Sequence, residues 1–234
     1  FIKAQEKHSD LIINNIPDKI KYILDVGSGS GNLALRLSQK GFNVDCVIPS
    51  RFLGEQVQKK LGNESKIYNC TFENLSIQNK FDLILFSESF QYVKLKLSLE
   101  KVSKLLNDGG YLLICDFFKK DIVEKSPLGG GHKWNTFNKL ILKINFEKII
   151  DIDITKETAP TIDLMDQFNK EILIPLADMS GVYFSQKYPK LYKILKWKYN
   201  HKLKKINKIY LSGKVNGDCF KKFKTYRLLL YRKK

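Results

Sequence analysis

An aspartate and three glycines lie close together near the start of the chain, at Asp25, Gly27, Gly29 and Gly31. An apolar, strand-like run leads directly into them, and a helical pattern follows. Glycines in such a turn allow backbone conformations closed to other residues and let a ligand lie against the peptide chain. The Asp25 carboxylate would repel a pyrophosphate but suits a ligand with an ammonium group. The spacing therefore predicts a nucleotide-binding turn for a ligand that carries a positive charge.

The D-x-G-x-G-x-G pattern from Asp25 to Gly31 resembles the first motif of the class I S-adenosylmethionine (SAM) dependent methyltransferases. Within that class the chain looks similar to the tocopherol, sterol and cyclopropane-fatty-acid types, which act on small molecules or lipids. The resemblance implies SAM as the cofactor, with Gly27, Ser28 and Gly29 facing its methionyl and ribose parts and Asp25 tied to its amino end. Dinucleotide-binding proteins share glycine-rich turns, so a plain dinucleotide fold is the alternative.

The residues after the second predicted strand depart from the family pattern. The family has an Asp or Glu there that binds both ribose hydroxyls, and the alignment places Ile48 at that position, before Pro49 and Ser50. Asp45 lies three residues earlier, and an odd offset along a strand points it to the other face. Either another group contacts the ribose, or SAM binding loses hydrogen bonds worth about 1.5–3 kcal/mol each. A catalytically inactive methyltransferase fold is therefore a second alternative.

Two further segments complete the SAM pocket that the resemblance implies. Thr71 and Phe72 follow the third predicted strand, where the family brackets the adenine. Phe72 either stacks on that ring or fills the core. Ser87 follows the fourth predicted strand, which ends at Phe86, and the family's fourth motif there borders both the methyl donor and the acceptor.

Two residues are candidates for proton transfer. Methyl transfer from a sulfonium is an in-line displacement, so positioning supplies much of the acceleration, and a base is needed only when the acceptor must lose a proton. His132 closes the glycine-rich loop 126–132 and titrates near neutral pH, although it can equally cap that loop. Glu88 follows Ser87, beside the donor. Asp116, at the end of the fifth predicted strand, is interpreted as structural.

Several motifs of other enzyme classes are absent. Residues 87–90 read Ser-Glu-Ser-Phe where amino-group nucleic-acid methyltransferases carry Asn/Asp-Pro-Pro-Tyr/Phe, and no Pro-Cys nucleophile occurs. The four cysteines and three histidines lack metal-ligand spacing, which predicts no metal site. The sequence therefore favours transfer to oxygen or carbon of a small, hydrophobic or lipid-like acceptor, with RNA methylation as the alternative.

Strand-like runs alternate with helical patterns from Asp10 to Ile154, and a last strand follows over 225–232. This alternation predicts an α/β fold, a doubly wound, Rossmann-like parallel sheet that binds ligands at the carboxyl ends of its strands. The resemblance implies seven strands with the last one antiparallel. We therefore predict a SAM-binding core over residues 1–157, a basic helical lid over 158–220 and a final core strand over 221–234.

Positive charge is concentrated in the last quarter of the chain. The formal net charge is +17, and residues 179–234 hold 17 Lys and Arg against one acidic residue. Lysines interleave with aromatic and aliphatic residues over 187–210, which predicts an amphipathic basic helix that begins at Pro189. Such a helix suits an anionic membrane surface. Contact with nucleic acid or a merely solvated helix face are the alternatives.

Hydropathy and cysteine usage bear on location. No apolar run approaches the roughly 18 residues needed to cross a bilayer. The scattered cysteines are typical of reduced thiols in the cytosol. We therefore expect a cytoplasmic protein with the option of peripheral membrane contact. Because the sequence begins at Phe1 rather than Met, a targeting signal could not be read from it.

Overall fold

The computed structural model describes residues 2–124, 126–210 and 216–234. Its strands are β1 (Tyr22–Val26), β2 (Asn43–Val47), β3 (Ile67–Tyr68), β4 (Phe81–Ser87), β5 (Leu106–Lys119), β6 (Phe146–Asp153) and β7 (Lys224–Lys233). Its helices are α1 (Ile2–Asn14), α2 (Asn32–Gln39), α3 (Arg51–Leu61), α4 (Leu95–Leu105), α5 (Trp134–Ile141), α6 (Thr155–Phe168), α7 (Ile174–Lys187), α8 (Pro189–Tyr210) and α9 (Gly217–Phe223).

The seven strands form one mixed sheet in the order β3-β2-β1-β4-β5-β7-β6. Strands β1 to β5 pair in parallel, and β7 runs antiparallel between β5 and β6. This confirms the predicted Rossmann-like sheet and its antiparallel last strand. The order reverses between the neighbours β1 and β4, and open α/β sheets bind ligands outside the carboxyl ends of the strands at such a point. Asp25 and Ser87 lie at those two strand ends.

Unbroken apolar runs match the inner positions of β4, β5 and β7, none of which is an edge strand. Residues 83–86, 112–115 and 228–231 are all buried. Strands covered on both faces read as continuous apolar runs, because each face packs against other elements. Asp25 interrupts this rule in β1, since its carboxyl group is as buried as the apolar residues around it. Its placement therefore calls for a functional explanation.

The sequence predicts a strand over Tyr111–Cys115 after the turn 107–110, and the observed β5 is longer than this. Its ladder with β7 runs from the Tyr111–Arg232 pair to the Lys119–Lys224 pair and so extends well past Cys115. The partner strand supplies hydrogen bonds that no local pattern encodes, and strand propensity depends strongly on such context. The length of β5 was therefore set by tertiary pairing.

The chain divides into two compact units. The first contains the sheet and comprises residues 1–121, 130–154 and 224–234, and the second comprises 122–129 and 155–223. This division differs from the predicted boundaries by three residues at each end of the insertion and adds the segment 122–129. Within the second unit, Gly217 N donates to Asp163 Oδ1 at 2.7 Å, which joins α9 to α6.

Helix α8 begins at Pro189, as the sequence predicts. A π-helical turn at Asn169–Leu173 connects α6 to α7. Within the described part of the chain, none of the helices combines the length and the hydropathy that a bilayer-crossing helix requires.

Candidate active site

The glycine turn after β1 has one open position. A Cβ atom added at Gly27 would lie 2.5 Å from the Cβ of Ser89, and one added at Gly31 would lie 2.8 Å from a methyl group of Val57. At Gly29, which has φ of +54°, an added Cβ would meet nothing within 4 Å. Gly27 and Gly31 are therefore required by packing, whereas Gly29 leaves its backbone open to a ligand.

Asp25 is a buried carboxylate with an unmet hydrogen-bonding atom. Its exposed fraction is 1%, and its Oδ2 has no hydrogen-bond partner among the described residues. Burial raises the pKa of Asp25 to about 7, and the nearby Ser28 hydroxyl opposes this rise. An unpaired buried carboxylate costs free energy unless a donor or a cation reaches it. The site therefore fits a ligand ammonium group or a bridging water.

Ile48 follows β2 at the position where the family pattern has a ribose-binding acid. Ile48 is buried, and Pro49 and Ser50 after it are exposed. The Ser50 hydroxyl accepts a hydrogen bond from Leu53 N and so caps α3. The Asp45 carboxylate accepts hydrogen bonds from Lys66 N, directly before β3, at 2.9 Å and from the hydroxyl of Tyr68, in β3, at 3.3 Å. This agrees with its predicted orientation away from the ligand edge.

The segment after β3 contributes one exposed and one buried side chain. Thr71 is exposed and precedes a 3-10 turn at Phe72–Asn74. Phe72 is 2% exposed and packs edge-to-face on Phe86, with ring centroids 5.3 Å apart. The structure thus favours core packing for Phe72 over stacking on an adenine. Thr71 and its backbone stay accessible to a ligand.

Glu88 lies just beyond β4 in an unusual backbone conformation. Its φ is +55°, a region that few residues other than glycine adopt and that often marks functional positions. Glu88 N donates to Cys115 O at 2.9 Å, which fixes the residue against β5. Its side chain is exposed, and its Oε1 accepts a hydrogen bond from the Tyr226 hydroxyl at 3.0 Å. Half-buried Ser87 directly precedes it.

Two residues near Glu88, Tyr226 and His8, were missed by the sequence reasoning. Tyr226 lies near the start of β7. The Nε2 atom of His8, on α1, lies 3.0 Å from the Tyr226 hydroxyl and 3.2 Å from Cys115 Sγ. The register of β7 on β5, which pairs Phe117 with Tyr226, brings Tyr226 to this edge. The predicted last strand contained Tyr226, but no local pattern revealed its partner. His8 offered no sequence signal.

Burial controls the protonation of this cluster. It lowers the pKa of His8, and the negative charge of Glu88 partly opposes that change. It raises the pKa of Tyr226 well above 10 and that of Asp116 to about 7. His8 and Tyr226 are therefore both neutral near pH 7.

Asp116 and His132 each bind the turn that follows β4. Asp116 accepts from Gln91 N at 3.0 Å and from Phe117 N at 2.7 Å, which matches its structural interpretation. His132 lies with Nε2 2.9 Å from Phe90 O, and burial lowers its pKa. Both His132 and Glu88 are described, and no hydrogen bond joins them. His132 stays a predicted base, held against the backbone in this structure.

Metal ligands do not gather in the described residues, where no group of three or more His, Cys, Asp or Glu side chains could hold an ion. All four cysteines are described as free thiols.

Residues 24–114 match the family model described as "Methyltransferase domain". This range contains the glycine turn, Asp25 and Glu88. Residues 24–114 are therefore similar to a methyltransferase domain. The match confirms the resemblance to the SAM-dependent enzymes, and it begins in β1 and ends in β5.

Relatives and solved structures agree with this family. An uncharacterized methyltransferase of Bacillus thuringiensis (strain Al Hakam) is 27% identical over 124 residues, which are 51% of this chain and 58% of that protein. Geranyl diphosphate C-methyltransferase from Streptomyces coelicolor A3(2), in complex with Mg2+, geranyl diphosphate and S-adenosylhomocysteine, has a TM-score of 0.70 at 11% identity, covering 98% of this chain and 79% of that one.

An O-methyltransferase from the trans-AT PKS multienzyme of Brevibacillus brevis, in complex with S-adenosylhomocysteine, has a TM-score of 0.63 at 17% identity. The similarity covers 97% of this chain and 71% of that one. At these identities the two structures establish the fold of the methyltransferase domain. The match to the Bacillus relative spans 58% of that protein's length.

Proposed function

We propose that the protein transfers the methyl group of SAM to oxygen or carbon of a small, hydrophobic or lipid-like acceptor. The observation that carries this proposal is the unpaired Oδ2 of buried Asp25, next to the open backbone at Gly29 within a methyltransferase domain. The buried oxygen provides a binding partner for the ammonium group of SAM. A pyrophosphate ligand would meet repulsion at the same position.

Other residues near the carboxyl ends of β1 to β4 would complete the donor site. Gly27 and Ser28 shape the turn, Thr71 borders the adenine position, and Ser87 borders the reacting centre. Ile48, Pro49 and Ser50 line the ribose position without a carboxylate, so backbone groups or water would have to bind the ribose hydroxyls there. SAM supplies an electrophilic methyl group on a sulfonium, and the role of the protein is to align an acceptor with it.

The acceptor class is the finer part of the proposal. Two neighbours of the same fold are named as a C-methyltransferase and an O-methyltransferase, and the former acts on geranyl diphosphate. Glu88 or His132 would accept a proton from an acceptor hydroxyl, whereas an acceptor without an acidic proton needs only alignment. RNA methylation is the alternative outcome of the test below.

Calorimetry with SAM and S-adenosylhomocysteine tests donor binding. We expect saturable binding of both compounds, and no binding of either would contradict the proposal. Tritium from methyl-labelled SAM should then enter lipid or small-molecule extracts rather than RNA. Donor binding without transfer to any fraction would instead favour the catalytically inactive fold that Ile48 suggests.

We also propose that α8 binds an anionic membrane surface. Its exposed side chains include Leu191, Ile194 and Trp197, the last of which is 83% exposed. Lys190, Lys193 and Lys196 are exposed on the same helix, and no acidic residue occurs from Met179 to Gly217. Basic helices with an apolar side bind anionic lipid headgroups through charge and apolar burial together. Binding to anionic but not neutral vesicles is expected.

A further inference from the structure

We propose that His8, Tyr226 and Glu88 form a hydrogen-bonded chain that orients the Glu88 carboxylate to accept the proton of a hydroxylated acceptor. Tyr226 and His8 are positioning residues, and Glu88 is the group that meets the acceptor. This inference rests on the proposed methyltransferase function and specifies how its proton is removed.

The hydrogen bonds of the chain have a defined direction. The Tyr226 hydroxyl lies 3.0 Å from Glu88 Oε1, and a carboxylate can only accept, so Tyr226 donates its proton to Glu88. The Tyr226 oxygen then accepts from His8 Nε2, which lies 3.0 Å away. This requires neutral His8 with its proton on Nε2, which is consistent with the lowered pKa of the buried imidazole. One oxygen of Glu88 is thereby engaged, which leaves Oε2 for the acceptor.

Each member of the chain is held by structure outside it. Ile12 of α1 is fully buried, and Asp10 of α1 pairs with Arg36 of α2 at 2.5 Å, so α1 is anchored by residues just after His8. Tyr226 is 3% exposed and hydrogen-bonded within the β5–β7 ladder. Glu88 has a backbone fixed by its bond to Cys115 O. A rigid support of this kind is what a positioned base requires.

The neighbouring titratable groups do not replace Glu88. Cys115 Sγ lies 3.2 Å from His8 Nε2, and burial raises the pKa of its thiol, so it stays protonated. Asp116 is buried, and backbone N–H groups of Gln91 and Phe117 already occupy both of its oxygens. Glu88 is the exposed carboxylate of the cluster and is therefore accessible to an acceptor.

The proton balance of the step is simple. The acceptor oxygen bonds to the methyl carbon as the carbon–sulfur bond breaks, and the sulfur keeps that electron pair. The acceptor proton passes to Glu88 Oε2 and then to water. No oxidant, reductant or metal takes part in this balance.

The hydrogen-bonded chain of His8, Tyr226 and Glu88 can be tested without a known acceptor. The test is an NMR titration of ¹⁵N-histidine-labelled protein in the presence of S-adenosylhomocysteine. The His8→Gln variant identifies the His8 resonances among the three histidines. Glu88→Gln removes the negative charge that raises the pKa of His8, so this pKa should fall below its wild-type value. Tyr226→Phe should alter the Nε2 shift of His8, because the imidazole loses its acceptor.

Tyr231→Phe is the matched control, because Tyr231 is on the same strand and is also 3% exposed. It should leave the His8 titration unchanged. A His8 titration identical in wild type, Glu88→Gln and Tyr226→Phe would overturn the proposal. If S-adenosylhomocysteine fails to bind the wild-type protein, the proposed function fails instead, so the two failures are distinguishable.

Turnover of hydroxylated acceptors provides the second readout. With any acceptor that the wild type uses, Tyr226→Phe should lower kcat about tenfold and leave the KM for SAM unchanged. His8→Ala should behave similarly, and His8→Gln, which retains an amide donor, should recover most of the loss. Wild-type kcat in both Tyr226→Phe and His8→Ala would reject the positioning role.

Discussion

At the scale of single residues, the two most informative groups are buried or strained in ways that cost the free protein stability. Asp25 has an unpaired carboxylate oxygen in the core, and Glu88 has a left-handed backbone conformation. Such features persist when function requires them, because most substitutions that relieve them would also remove the function. The stability and the ligand affinity of Asp25 variants should therefore change in opposite directions.

Asp25→Asn should stabilise the ligand-free protein above neutral pH. The folded-state pKa of Asp25 is raised to about 7 from 3.8, so its contribution favours folding below pH 4 and is lost as the pH rises through 7. Urea unfolding at pH 8 should show a gain of roughly 2–4 kcal/mol for the variant, with little difference near pH 4. S-adenosylhomocysteine should bind it more weakly.

Exposed Asp18→Asn serves as the control, because it makes the same change of charge at the protein surface. Its unfolding free energy should follow the wild-type pH dependence. An Asp25→Asn protein that is less stable than wild type at pH 8 would show that Asp25 is satisfied in the folded protein.

At the scale of elements, the glycines in the turn between β1 and α2 differ in how closely other residues pack against them. Gly27 and Gly31 are confined by Ser89 and Val57, whereas Gly29 faces open space. Packing therefore requires glycine at two positions of this motif, and the third position has no packing requirement. Substitutions at the turn should divide into those that unfold the protein and those that only weaken binding.

Gly29→Ala should weaken S-adenosylhomocysteine binding with a modest loss of stability, about 1–2 kcal/mol from its positive φ. Gly41→Ala is the matched control, because Gly41 also has a positive φ and open space around it but lies at the far end of α2. The two variants should unfold similarly in urea, and calorimetry should show weaker binding for Gly29→Ala alone. Equal affinities would remove Gly29 from the binding site.

At the scale of the whole molecule, charge is distributed unevenly. Residues 1–178 are close to neutral, with 24 basic and 23 acidic residues, whereas 17 basic residues and one acidic residue follow. Charge placed in one region favours association with an anionic surface and makes this association sensitive to salt. The charge distribution thus gives the second unit a testable property of its own.

Lys190→Gln, Lys193→Gln and Lys196→Gln combined should weaken binding to anionic vesicles about a hundredfold, because each lysine contributes about 1 kcal/mol near such a surface. The control is Lys40→Gln, Lys59→Gln and Lys143→Gln, which removes three exposed charges from the first unit. Vesicle sedimentation at low and high salt measures both. Equal losses in the two triple variants would point to net charge alone, and tight binding to RNA instead of vesicles would contradict the membrane proposal.

The family resemblance implied the antiparallel last strand and the missing acid at Ile48. Local pattern was sufficient to predict the alternation of strands and helices, the glycine turn with Asp25 and the start of α8. Each of these depends on residues adjacent in sequence, through strand and helix periodicity or through the backbone freedom of glycine. The chain of His8, Tyr226 and Glu88 depended on tertiary structure, since His8 and Tyr226 are 218 positions apart and Tyr226 and Glu88 are 138 apart. Their contact follows from the register of β7 on β5 and the docking of α1, which are set by the packing of the whole core rather than by any local run of residues.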